Sequence, residues 1–314
     1  MRFARIVDRG IKRRLHHTKR TKITNEIEYI EPDSNQNFLS CAGIIVNSKP
    51  KVLIDTNIGK SDTLELLQSE KPDIYIITHH HGDHTSWVYH VLEYGKAEIY
   101  IPRGEEEYFY NVDHLVNKTV GEYPLGFSWK DLTIHYFNYK EIQAYSSYDE
   151  SLELDCSSVK IKCIDTPGHS PSHKSFYFPD EKIIFTGDLG IDKFGPWYGW
   201  ANCDLKLYIE SLLKINSYEA DVIATSHGGV LKNESDAFLN CVKIIFNREE
   251  SIIKRLDEGR SKSEIVSEGI YYFNKSRAPE HFKSFYIMWD DFMFEHHMKI
   301  IADGGLNKLF KNLA

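Results

Sequence analysis

Short apolar runs bounded by Gly, Pro, Asn and Asp dominate the first two-thirds of the chain. Those at 42–47 (AGIIVN), 51–55 (KVLID), 73–78 (DIYIIT), 97–101 (AEIYI), 132–137 (LTIHYF), 159–164 (VKIKCI), 173–178 (HKSFYF), 182–187 (KIIFTG) and 220–225 (ADVIAT) are rich in β-branched and aromatic residues, and each predicts a strand. Helical periodicity falls between them, at 60–70, 85–94 and 204–216. In the last of these Leu205, Tyr208, Ile209 and Leu212 share one face, with Asp204 placed as the N-cap. Beyond about residue 232 the strand signals stop. Residues 234–259 read as a long helix ended by Gly259, and 261–273 open with the capping-box pair Ser261 and Glu264. A further helix over 279–305 is stopped by Gly304 and Gly305. The pattern predicts a mixed α+β body with an all-helical C-terminal extension, without internal repeats.

The 314 residues are 41% hydrophobic and 13% aromatic, enough for a large core in one main domain with an appendage. We divide the chain into a basic arm (1–22), a body (23–235) and a helical extension (236–314). No run of 18 apolar residues suggests a membrane span, and the basic N-terminal stretch lacks the apolar centre of a secretory signal. Five dispersed cysteines without CxxC spacing read as free thiols in a reducing, cytoplasmic setting. The net charge of −8 is uneven: residues 1–22 carry +8, leaving −16 for the rest. An acidic body argues against a general nucleic-acid binder, and the arm reads as a solvated or self-docking terminus.

One stretch changes the picture. ITHHHGDH (77–84) puts four histidines and an aspartate within six residues, directly after an apolar strand. In extended backbone His79 and His81 face one way and His80 the other; Gly82 allows the turn that brings Asp83 and His84 round. Imidazole with carboxylate is a donor set for zinc, iron or manganese. Three more ligand-type residues follow apolar strands beside a glycine: His169 in CIDTPGHS, Asp188 in IIFTGDLG and His227 in VIATSHGG. The pairs His16-His17 and His296-His297 lack such acids and turns, and read as surface histidines.

These motifs, THHHGDH (78–84), TPGHSPSH (166–173), FTGD (185–188) and SHGG (226–229), with LIDT (53–56), resemble in order those of the metallo-β-lactamase fold superfamily, in its glyoxalase II-like hydrolase group. The resemblance covers about residues 25–235. It implies an αββα sandwich of two mixed sheets flanked by helices. It also implies two divalent metals, zinc first, with iron or manganese compatible. His79, His81 and His169 would hold one metal and Asp83, His84 and His227 the other, with Asp188 bridging. Asp55 takes the place of the family's acid beneath the site, and Ser170 and His173 would support the ligands. Asp83 could also carry a proton to a leaving group.

Two metals about 3.5–4 Å apart can share a hydroxide and polarise a carbonyl, chemistry suited to esters, thioesters or lactones of a small acyl substrate. Flavodiiron relatives typically carry an acid where this chain has His81. Iron-dependent persulfide dioxygenases and RNA-processing nucleases keep the same histidine motif, so redox and nuclease readings stand as alternatives. Trp197, Tyr198 and Trp200 follow Asp188 and are expected to line a pocket. The aromatic C-terminal helices would cover the active site and offer a surface for a homodimer. No basic cluster there suits glutathione's carboxylates, which argues against glyoxalase II activity itself.

Overall fold

A computed structural model describes residues 18–33, 39–125, 127–191, 195–234, 236–275 and 280–311. The first sheet runs in sequence order through β1 (Lys19–Lys22), β2 (Ile27–Glu31), β3 (Gly43–Val46), β4 (Val52–Ile54), β5 (Ile74–Ile76), β6 (Glu98–Pro102) and β7 (Ser146–Tyr148). Strands β1 to β4 are antiparallel and β4 to β7 parallel. The second sheet comprises β8 (Glu153–Cys156), β9 (Val159–Asp165), β10 (Lys174–Phe178), β11 (Ile183–Phe185), β12 (Val222–Thr225) and β13 (Gly229–Lys232). Only its β11–β12 pair is parallel.

Period-two alternation explains how the sheets stack. Ile44, Ile54 and Ile76 point into a seam against Ile161, Phe176 and Phe185 of the second sheet. Their neighbours Ile45, Leu53 and Tyr75 point outward, onto Leu66 and Leu67 of α1 (Lys60–Glu70) and Val91 of α3 (Tyr89–Tyr94), which follows the short α2 (Gly82–Thr85). That outer layer also includes α4 (Glu106–Tyr110) and α5 (Val112–Thr119). Buried on both faces, such strands read as continuous apolar runs. On the far side, Ile164, Ile184 and Ile223 meet α7 (Leu205–Asn216), α8 (Ala237–Asp257), α9 (Lys262–Glu268) and α10 (Glu280–Ala302) through Leu212, Ile245, Ile265 and Met288. The result is an αββα sandwich whose C-terminal helices share one buried cluster with the second sheet. α11 (Leu306–Leu309) closes the described chain. The Asp204 cap and the Ser261–Glu264 capping box form as read from the sequence.

Some elements differ from expectation. Residues 132–137 do not form a strand: α6 (Trp129–His135) begins where the Ser128 side chain accepts from Asp131 N, and Trp129 and Thr133 bury one helical face. The unexpected strands are β2, which lies inside the first sheet between β1 and β3, and β1, β7, β8 and β13, which are sheet edges, where polar sequence is the rule. β1 pairs the end of the basic stretch with β2, and Lys19 meets Glu31 at 2.7 Å. His16 and His17 lie outside the described residues. His296 and His297 are not on the surface: α10 packs against both α7 and α9, and the two rings are 4% and 0% exposed. His296 Nε2 donates to the Trp200 carbonyl at 2.8 Å, and His297 Nε2 pairs with the Tyr198 hydroxyl at 2.9 Å. All five cysteines are free and buried. Among the described residues no helix is long and apolar enough to cross a membrane.

Candidate metal centre

Five strands deliver their C-terminal ends to one rim of the sandwich. Asp55 follows β4, the segment 78–84 follows β5, His169 follows β9, Asp188 follows β11 and His227 follows β12. After β5 the backbone stays extended through His81, then turns into α2, which carries Asp83 and His84 inward. Gly187 sits at φ +56, and a Cβ there would lie 2.7 Å from His173 Nε2, so that close approach requires glycine.

Two donor quartets result. Ligand atoms of His79, His81, His169 and Asp188 lie within 4.8 Å of one another, as do those of Asp83, His84, Asp188 and His227. In the first, His81 Nδ1 stands 2.9 Å from both His79 Nε2 and His169 Nε2, and Asp188 Oδ2 lies 3.4 Å from His169 Nε2. In the second, Asp188 Oδ1 is 3.1 Å from His84 Nε2, and Asp83 Oδ2 is 2.9 Å from His227 Nε2. Tetrahedral ligands on a metal at 2.0–2.1 Å stand roughly 3.3–3.5 Å apart; with His79 Nε2 to Asp188 Oδ2 at 3.9 Å and His84 Nε2 to Asp83 Oδ2 at 3.8 Å, the donor spacings fall on both sides of that value.

The donor chemistry fits a cation better than it fits hydrogen bonding. Three ring nitrogens converge on one point, where no assignment of protons satisfies all of them. Burial, then neighbouring imidazoles, hold His79 and His81 well below the ordinary histidine range, and therefore neutral. Burial would raise Asp188, but His227 and His84 hold it well below the usual carboxylate range. Two of the far nitrogens are tied off as metal-ligating imidazoles require: His84 Nδ1 to Asp55 Oδ2 at 3.0 Å, and His169 Nδ1 to the Trp197 carbonyl at 3.0 Å. Asp55 itself, fully buried at φ +55, also accepts from Thr78 N at 2.8 Å.

Residues 38–227 match the family model described as "Metallo-beta-lactamase superfamily". The chain belongs to that superfamily. A Caenorhabditis elegans relative, "Beta-lactamase-like protein 2 homolog", is 26% identical over 66% of this chain, and the chain spans 62% of that relative's length. A protein of Paecilomyces divaricatus named as an atrochrysone carboxyl ACP thioesterase is 24% identical over 83% of this chain and 74% of its own. In structure, a metallo-beta-lactamase family protein from Thermus thermophilus superposes with a TM-score of 0.67, covering 90% of this chain and 95% of its own at 18% identity, a likeness of fold.

The supporting residues expected from the motifs lie close by. His173, pushed down to about 3 by burial, accepts from Asp188 N at 3.2 Å through Nε2, so its Nδ1 carries the proton and donates to Thr166 Oγ1 at 2.9 Å. Ser170 turns away from the donors and donates to Glu105. Glu105 escaped the sequence reading, since nothing distinguishes it from Glu106 and Glu107 beside it. It is fully buried and accepts from His80 N and Nδ1, both at 2.8 Å, and from Ser172 N at 2.9 Å. The two ligand loops are thus tied through one carboxylate. His80 faces away from the donors and stacks on Tyr108 with centroids 3.8 Å apart.

Above the donors opens a cavity of about 810 Å³ whose floor includes His81, Asp83, His169, Asp188 and His227. Trp197 and Trp200 line it. Tyr198 does not: it is fully buried and points to His297. The wall also includes Phe137, the segment 271–275, Tyr286 and Trp289, none of which carries a motif in the linear sequence.

Proposed function

We propose that this chain is a two-metal hydrolase that cleaves a thioester or ester of a small acyl substrate. The observation that carries the reading is Asp188, shared by both donor quartets at the floor of an aromatic-walled cavity. The thioesterase name of the Paecilomyces relative favours the same bond. Two divalent ions, zinc first, with iron or manganese suited to the same donors, would supply a nucleophilic water at neutral pH and polarise the acyl carbonyl.

The chain's own residues do the rest. Asp55, the Trp197 carbonyl and Glu105 fix the orientation of the ligand-bearing loops. Asp83 faces the cavity with its side chain 20% exposed, where it can take a proton and pass it to the departing group. A thiol with a pKa near 8.5 needs little such help, which suits a single carboxylate. Trp197 and Trp200 exclude water from the acyl side.

The test is elemental analysis of protein purified without chelator, followed by a thioester and lactone panel. About two zinc ions per chain with thioester cleavage is the expected result. Iron instead, with consumption of oxygen or oxidation of sulfur and no cleavage, would overturn the proposal.

A further inference from the structure

The cavity wall beside the metal donors is largely aromatic. Trp197, Trp200 and Trp289 stand mutually edge to face, with centroids 5.6–5.9 Å apart and planes at 79–88°. This triad borders the donors directly: the Trp197 ring lies 5.6 Å from His169 and the Trp200 ring 6.1 Å from His81. Trp197 Nε1 donates to the Tyr272 hydroxyl at 2.8 Å, and the Tyr272 ring stacks on Tyr286 at 4.4 Å with planes 9° apart. Five rings therefore form one connected surface beginning at the metal donors.

Charge is absent from that surface in a specific way. Lys275 is the one lysine or arginine among the described lining residues. Its ammonium lies 2.5 Å from Asp290 Oδ2 and donates to the Val266 carbonyl at 2.7 Å. Asp290, itself 0% exposed, also accepts from Tyr271 N at 2.8 Å and Ile270 N at 3.2 Å, which folds the 270–275 segment over the cavity. The cation is thus committed to the wall's own construction. A substrate carboxylate at the acyl tail, away from the metal donors, would meet aromatic rings, with no uncommitted lysine or arginine among the described lining residues.

We infer that the cavity selects acyl groups whose body is a flat, uncharged aromatic ring system, packed against the indole triad and the Tyr272–Tyr286 stack. This rests on the hydrolase reading above for the bond that is cut, while the recognition stands on the wall alone. In the reaction, water oxygen bonds to the acyl carbon and the carbon–sulfur bond breaks. The products are an aromatic carboxylic acid and a free thiol that takes the second proton of the water.

The experiment uses the full zinc-loaded chain with 2-naphthoyl, acetyl and succinyl thioesters of N-acetylcysteamine. Binding of 2-acetonaphthone, an uncharged and uncleavable probe, is followed alongside by quenching of tryptophan fluorescence. The naphthoyl ester should exceed the acetyl ester roughly tenfold in kcat/KM, from a few aromatic contacts, and the succinyl ester should be poorest. Tyr286→Leu should cut the naphthoyl-to-acetyl ratio and weaken acetonaphthone binding by about threefold to fivefold, with zinc content retained. Equal kcat/KM for the three esters, or acetonaphthone binding indifferent to Tyr286→Leu, overturns the inference. Acetonaphthone binding that Tyr286→Leu weakens, in a chain that cleaves no thioester, supports the aromatic pocket and removes the proposed reaction.

Discussion

Replacing Glu105 with Gln tests whether one buried carboxylate holds the two ligand loops together. Two donors meet each carboxylate oxygen: His80 N and Nδ1 at Oε2, Ser170 Oγ and Ser172 N at Oε1. An amide can present its oxygen to only one pair. Its NH₂ then faces a main-chain N–H, of His80 or Ser172, that cannot rotate away. Losing charge-assisted bonds at a fully buried site costs roughly 3–5 kcal/mol, a large part of a typical domain's stability. Acidification supplies a second readout. Burial alone would raise this carboxyl, but His80, Ser170 and Ser172 bring it from the ordinary 4.5 to about 2. A depressed carboxyl contributes stability that is complete above pH 4.5 and is lost as pH falls toward 2, here on the order of 3 kcal/mol. The assay is urea unfolding of metal-stripped wild type and Glu105→Gln at pH 7 and at steps below 4.5. The gap should be large at pH 7 and should narrow on acidification. A gap under about 0.5 kcal/mol at pH 7, the range of an ordinary surface substitution, would refute the reasoning, as would a gap that widens in acid.

Asp188→Asn should deplete both metals, measured as metal per chain by mass spectrometry; full occupancy would remove Asp188 from the bridging position. His80→Ala should keep metal stoichiometry while losing about 2 kcal/mol, through the Tyr108 stack and one bond to Glu105; a lost metal would mean that this ring serves as a ligand. Burial pushes His296 from 6.5 down to about 4, so the unfolded chain takes up a proton below pH 6.5 that the folded chain refuses until near pH 4. Across that window stability should fall with pH by about 3 kcal/mol, and His296→Gln should flatten the slope; an unchanged slope in that variant would show that another group sets it.

The donor residues were legible because they cluster at the ends of apolar strands, His169, Asp188 and His227 each beside a glycine, and the period-two rule placed His80 on the opposite side from His79 and His81. Residues 132–137 misled because Leu132, Ile134 and Tyr136 alternate while Trp129, Leu132 and Thr133 also fit a helix. The Ser128 cap and the packing of Trp129 decide between the two, and packing is invisible in a single chain of letters. The histidines of α10 failed for a related reason: a helix enclosed on two sides has no polar face from which exposure can be read. Tyr198 was expected in the pocket from proximity to Asp188 alone; its ring is fully buried and its hydroxyl is held by His297 of α10, a partner 99 residues away that the local sequence does not show. Glu105 and Asp290 gave no local sign, since the bonds that define them come from segments 15 to 67 residues away in the chain.

Trp289 belongs at once to the cavity wall and to the buried cluster that joins α10 to the second sheet. Adaptation toward new substrates is therefore constrained along this helix: enlarging the cavity at Trp289 removes core contacts with the same stroke. Lineages, or laboratory libraries, that broaden the accepted acyl group should change first at Phe273, a wall residue that is 65% exposed and outside the packed seams, where variation carries little penalty in folding.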